Sequence, residues 1–283
     1  MKTNILSIAF SLLSGFILFS SCSNLQKEVK VSLPPYEQRV LVECYIESGK
    51  PLQALISATQ DYFGPKSDTS LFTEIFLNPG ADVKISDGLK TITLNYDLTP
   101  QFYPSFKIFN YKSSDSLVVV EGRTYTITAT DSKGRQVDAK ATYVKPTQIT
   151  EIEIEKVPNN DSLWQMSFKL IDPPGKNYYQ VEFVNLSDSN RYLGGYVTDD
   201  GLFDGKSNTF GFQPQIFKDG DTVQTSLYSL SKEYFTYLST VQAAKDGAGS
   251  PFAQPAVIAS NINKGIGIFT IISVSRKNFV VKY

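Results

Sequence analysis

The 283-residue chain contains no histidine. That removes the imidazole on which Ser-His-Asp and Cys-His nucleophilic catalysis depend, together with the commonest side-chain ligand of transition metals. Cysteine is nearly absent as well: Cys22 and Cys44 are the two present, and no disulfide framework can be built from them. There is no excess of one charge. The 27 basic and 28 acidic side chains leave a net charge of −1 and no electrostatic footprint for nucleic acid or anionic lipid. A long hydrophobic run is also missing, because the apolar stretch Ile5 to Phe19 falls short of the ~20 residues that cross a bilayer.

What is present begins with that stretch. Lys2, the apolar run and the small residues Ser20 and Ser21 are the three parts of a secretory signal. Cys22 at the first position after the break resembles a bacterial lipobox, in which the thiol is acylated and the cleaved chain stays tethered by its lipids. The expectation is a lipoprotein signal peptide at 1–21 and a lipid-anchored tether at 22–38, stiffened by Pro34 and Pro35, on an outer-membrane face that the sequence leaves open. Such a tether spans on the order of 20–25 Å. Only Lys2 among the charged residues is lost on cleavage, so the mature chain carries a net charge near −2.

From Arg39 onward the pattern has period two. Val40, Val42, Cys44 and Ile46 share one face, which places Cys44 in a core as a small apolar residue. Leu52, Ala54, Ile56 and Ala58 repeat the pattern, and Val83 to Ile85 runs through Asp87 and Gly88 into Lys90 to Leu94 as a hairpin. Tyr125, Ile127 and Ala129 form another face, turned by Asp131 to Gly134 into Val137 to Val144. Around Ser70 to Leu77 the alternation stops, and a short helix or a crossing loop is expected. Glu121 to Tyr125 resembles the approach to a strand in fibronectin-like and carboxypeptidase-regulatory-like sandwiches, where a tyrosine hydroxyl ties the corner to the upstream backbone.

After Lys145 and Pro146, a second set begins with Ile149, Ile152 and Ile154, turned at Pro158 to Asp161. Trp164, Met166, Phe168 and Leu170 share one face, so the single tryptophan points inward rather than offering a sugar-stacking platform. A helix is expected from Ser231, as N-cap, to Ala244, with Phe235, Leu238, Val241 and Gln242 near one stripe. Ile258 to Asn263, Gly267 to Ser275 and Phe279 to Tyr283 read as closing strands. The fold expected is all-β: an immunoglobulin/fibronectin-like sandwich at 39–146, followed by a β-rich domain at 147–283 with one short helix.

Few constellations carry chemistry. Asp199, Asp200 and Asp204 can offer oxygens to a hard cation such as calcium, but their glycine neighbours Gly201 and Gly205 make turns the simpler reading. Ser229 and Lys232 match the Ser-x-x-Lys spacing of penicillin-binding enzymes without the partner motifs, and an N-cap at Ser231 accounts for the segment. Phe102, Tyr103, Tyr178 and Tyr179 fall in loop-like sequence and are candidates for a partner-facing surface. Nothing requires a cofactor, and the chain reads as non-enzymatic.

Ser231 to Leu238, Gly249 to Pro255, Ser260 to Phe269 and Asp172 to Tyr179 together resemble the signature of an uncharacterised Bacteroidota outer-membrane lipoprotein family. The resemblance runs from Cys22 to the last strand. It implies a gene neighbourhood shared with TonB-dependent receptors, and so a receptor barrel as partner; no catalytic residues come with it. A free-standing ligand-binding or adhesion lipoprotein is the alternative.

Overall fold

Strand β1, Val40–Glu47, alternates buried and half-buried side chains along its whole length, as its sequence requires. A computed structural model describes residues 37–59, 79–101, 107–247 and 256–282. The leader and most of the tether (residues 1–36), the break around 70–77, Phe102, Tyr103 and the 249–255 segment lie outside the described residues. After β1 come β2 (Pro51–Ala58), β3 (Asp82–Ser86), β4 (Thr91–Gln101), β5 (Lys107–Ser116), β6 (Thr124–Thr130) and β7 (Gln136–Thr142). They are followed by β8 (Ile149–Val157), β9 (Asn160–Ile171), β10 (Tyr178–Asn185), β11 (Arg191–Asp199), β12 (Ser207–Gln215) and β13 (Thr222–Leu230). Helix α1 (Lys232–Gly247) and β14 (Ile266–Val280) complete the described chain. The all-β expectation holds, and among the described residues no helix is long and apolar enough to cross a membrane.

Eleven strands form one ladder in the order β11-β10-β13-β14-β1-β2-β5-β4-β3-β6-β7, and β12-β9-β8 form a second sheet. The ladder turns on itself at β4, whose first residues pair with β3 and whose later ones pair with β5 across an irregularity between Tyr96 and Thr99. The two faces thus brought together bury Val42, Cys44, Ile56, Ile85, Tyr125 and Ile127 in one core, the first lobe. In the second lobe the sheet β11-β10-β13-β14 packs against β12-β9-β8 around Trp164, Phe168, Phe183, Phe210 and Phe217.

The lobes share β14. Its first half pairs in parallel with β1, from Leu41 opposite Ile266 to Glu47 opposite Ile272. Its second half pairs antiparallel with β13, from Ser273 opposite Ser229 to Val280 opposite Thr222. The boundary expected after Pro146 falls in the β7–β8 connection and lies between the two cores, yet Gln38–Tyr283 is one compact unit because of this shared strand. Two of the three closing strands read from the sequence, Gly267 to Ser275 and the one starting at Phe279, are in fact one, β14. Arg276, Lys277 and Asn278 stay extended with polar side chains exposed because their backbone is paired to β13. Ile258 to Asn263 is not a strand: Asn261 uses its side-chain amide in place of a ladder, accepting from Phe269 N at 2.9 Å and donating to Phe269 O at 2.7 Å. Gly267 permits the parallel seam. It sits at φ +112°, and a Cβ there would lie 2.0 Å from the Val42 carbonyl oxygen.

Local expectations hold in detail. The Tyr125 hydroxyl accepts from Val120 N at 2.9 Å and donates to Val118 O at 3.3 Å, forming the corner. The β3–β4 hairpin has the longer loop Asp87 to Lys90 rather than a two-residue turn, because Asp87 Oδ1 accepts from both Leu89 N and Lys90 N. Cys44 is fully buried, and burial pushes its thiol far up. Ser231 Oγ accepts from Tyr234 N at 3.2 Å and caps α1. Tyr234 is the buried residue of α1, with Phe235, Tyr237, Leu238 and Val241 half-buried beside it; Gln242 is exposed and donates to Asp246. The helix lies on the outer face of the shared sheet. Tyr234 packs on Tyr45 with ring centroids 5.9 Å apart, Phe235 packs on Tyr178 at 4.5 Å, and the Tyr237 hydroxyl donates to Glu43 at 3.0 Å.

Candidate functional site

A cleft of about 360 Å³ opens where the lobes meet. One wall is the end of β7, with Lys140, Ala141 and Thr142. The other is built from Lys176 and Asn177 before β10, from Ser229 and Leu230 at the end of β13, and from Ser231, Lys232 and Glu233 at the start of α1. Asn261 and Phe269 reach it from the β14 side. Three of the four segments that carry the family resemblance therefore contribute to one cavity. Lys140 and Thr142 were not among the residues singled out in the sequence, since outward polar positions of a strand give no signal of what faces them.

Beneath the cleft is a buried polar chain. Ser229 Oγ accepts from Thr147 N at 2.9 Å, Thr147 Oγ1 lies 3.2 Å from the Tyr179 hydroxyl, and Tyr179 donates to Asp172. Burial, reinforced by Asp172, drives the Tyr179 phenol well above its ordinary range, so it stays a neutral donor. Ser229 is thereby committed to structure. Among the described residues no hydrogen bond joins it to Lys232, and the Ser-x-x-Lys spacing does not assemble a nucleophile and base.

The aspartates converge differently from the sequence expectation. Carboxylate oxygens of Asp172, Asp200 and Asp204 all lie within 4.8 Å of one another, and Asp172 and Asp200 are buried. Asp199 stands outside the trio, with its Oδ2 at 3.1 Å from the Lys176 ammonium. The Gly201 N–H, followed by Lys176, holds its carboxyl below the usual carboxylate range. Each member of the trio fastens the β9–β10 loop to the β11–β12 loop. Asp172 Oδ2 accepts from Gly205 N at 2.9 Å, Asp200 Oδ2 from Asn177 N at 2.7 Å, and Asp204 Oδ1 from Gly175 N at 2.8 Å. Asp200 Oδ1 is buried without a well-aligned hydrogen bond and faces the Lys176 ammonium at 3.1 Å. This is a latch between loops, and one of its three carboxylates, Asp200, is already paired with the Lys176 ammonium.

Tyr178 and Tyr179 belong to β10 rather than to a loop, and they do not form an exposed surface. Tyr179 is fully buried, and Tyr178 is sandwiched between Phe235 and the Lys176 ammonium, 5.8 Å from its ring. In their strand the buried Tyr179, Val181 and Phe183 alternate with the half-buried Gln180 and Glu182, and the loop-like run Pro173 to Asn177 just before it draws the two tyrosines into a loop reading.

Solved structures similar to the chain include the FN1–FN3 domains of chicken CNTN1, at 12% identity and a TM-score of 0.28, covering 87% of this chain and 67% of that one. The chicken interferon gamma receptor alpha chain matches at 9% identity and 0.20, covering 69% and 89%. CBD12 from CALX1.2 matches at 9% and 0.21, covering 85% and 100%. No curated protein matches the sequence. A family model spans residues 26–278, nearly all of the chain, and by that match the protein belongs to the family described as a domain of unknown function, DUF4249.

Proposed function

We propose that the protein is a lipid-anchored, non-enzymatic component of a Bacteroidota cell envelope, held at the outer membrane through Cys22 and working beside a TonB-dependent uptake receptor. The observation that carries the reading is the leader: Lys2, the apolar run, Ser20, Ser21 and then Cys22. Support for a non-enzymatic role comes from side chains already occupied. Histidine is absent, Ser229 is used by the Thr147 backbone, and the aspartates are used by loop N–H groups. The receptor rests on the gene neighbourhood that the family resemblance implies.

A free-standing ligand-binding lipoprotein is the second reading, favoured by the inter-lobe cleft. A crosslinked pulldown from native outer membranes separates the two, with Cys22→Ala as the variant that abolishes lipidation. One receptor barrel recovered in near-equal amount and lost in the variant supports the accessory role. Recovery of the protein alone rejects it and leaves the binding module.

A further inference from the structure

We infer that the inter-lobe cleft binds a small organic anion: one carboxylate or phosphate head on an apolar body. The inference concerns the cleft alone and stands whether or not the chain works beside a receptor. Its volume of about 360 Å³ lies at the small end of the roughly 300–1,000 Å³ typical of ligand pockets. Three ammonium groups line it against one carboxylate, Glu233. Lys176 is already shared by Asp199 and Asp200. Lys140 and Lys232 are exposed, and among the described residues neither has an ion-pair partner.

Both border the one cleft, Lys140 from the first lobe and Lys232 from the second, so an anion seated in it lies in the field of both charges. The apolar wall is supplied by Leu230 and Phe269, both buried, which selects for a body that is not itself highly charged. Because the lobes share β14, the walls are held in place before a ligand arrives, and little ordering has to accompany binding.

The test uses the mature lipidated chain in detergent micelles, titrated calorimetrically with phenyl phosphate, benzoate and, as the cationic counterpart, benzyltrimethylammonium. Saturable binding of at least one of the two anions is expected, weakening as salt rises. The cation should not bind. In a Lys140→Gln, Lys232→Gln variant the affinity for that anion should fall about tenfold, the scale of two partly exposed charge contacts. Both residues are exposed, and an unchanged melting temperature will show that the variant is folded. The inference is overturned if neither anion binds at millimolar concentration, if the cation binds as well as the anions, or if the folded variant keeps the full affinity. None of these outcomes bears on the pulldown, which reads Cys22.

Discussion

The two lobes are both sandwiches, but they are filled differently. The first is dominated by Val, Ile, Leu and Ala on regularly alternating strands, closed by the Asn263 N–H donating to Asp138 O at 2.8 Å. The second is filled by aromatic rings, with Phe210, Phe168, Phe183 and Phe212 joined in a chain of tilted contacts at 5.4, 6.1 and 4.5 Å, and Tyr179 reaching through to a buried carboxylate. The first core's two buried tyrosines, Tyr111 and Tyr125, accept from backbone N–H groups of Ala81 and Val120. An aromatic core that includes tyrosine carries polar ends which must be matched, and here they are matched by loops. The second lobe is therefore the place where packing and loop structure depend on each other.

The largest effect should come from joining the fate of both lobes at once. Gly267→Val places a side chain against the Val42 carbonyl at a positive φ, and the β1–β14 seam cannot accept it; a loss above about 4 kcal/mol is expected, read as failure to recover folded protein. Next, the cores can be compared directly by chemical denaturation. Phe168→Ala in the second lobe should cost about 3–5 kcal/mol, against about 0.5–1.5 kcal/mol for Ile85→Val in the first. Both should give one shared transition, and two separate transitions would show that the lobes unfold independently.

The same conservative change then sharpens the contrast. Tyr125→Phe removes a hydroxyl that serves backbone groups at a corner and should cost about 1 kcal/mol. Tyr179→Phe strips a donor from buried Asp172 and should cost more, about 1–3 kcal/mol; equal losses in thermal melts would deny the loop latch its special place. The smallest effect concerns acid. Because the folded-state pKa of Asp199 is depressed, its stabilising contribution is present above the ordinary carboxylate range and is lost as pH falls through the lowered value. Asp199→Asn should lower the melting temperature slightly at pH 7, where the contribution is present, and converge with the unaltered protein below about pH 4, both effects being small because the side chain is 42% exposed.

Legibility followed the same division. Cys44, the Tyr125 corner, the inward Trp164 and the Ser231 cap were readable because each rests on alternation or on contacts a few residues away. Tyr178 and Tyr179 were misplaced because the Pro173 to Asn177 run before them reads as loop, although the strand they open alternates Tyr179, Val181 and Phe183 with Gln180 and Glu182. The Asp172 partner of Asp200 and Asp204 was not seen as one because it comes from the β9–β10 loop, 28 residues before Asp200, and no local spacing joins the two. Lys140 meets Lys232 only through the folding of the whole chain. The sharing of β14 could not be read either, since a parallel pair between the first and last strands leaves no local trace.

That parallel pair also sets an order of events. Leu41 must wait for Ile266, so one edge of β1 stays open during folding until β14 is in place. Contacts this distant in sequence form slowly. An open strand edge is meanwhile a site of aggregation, and that exposure ends when β14 closes the seam.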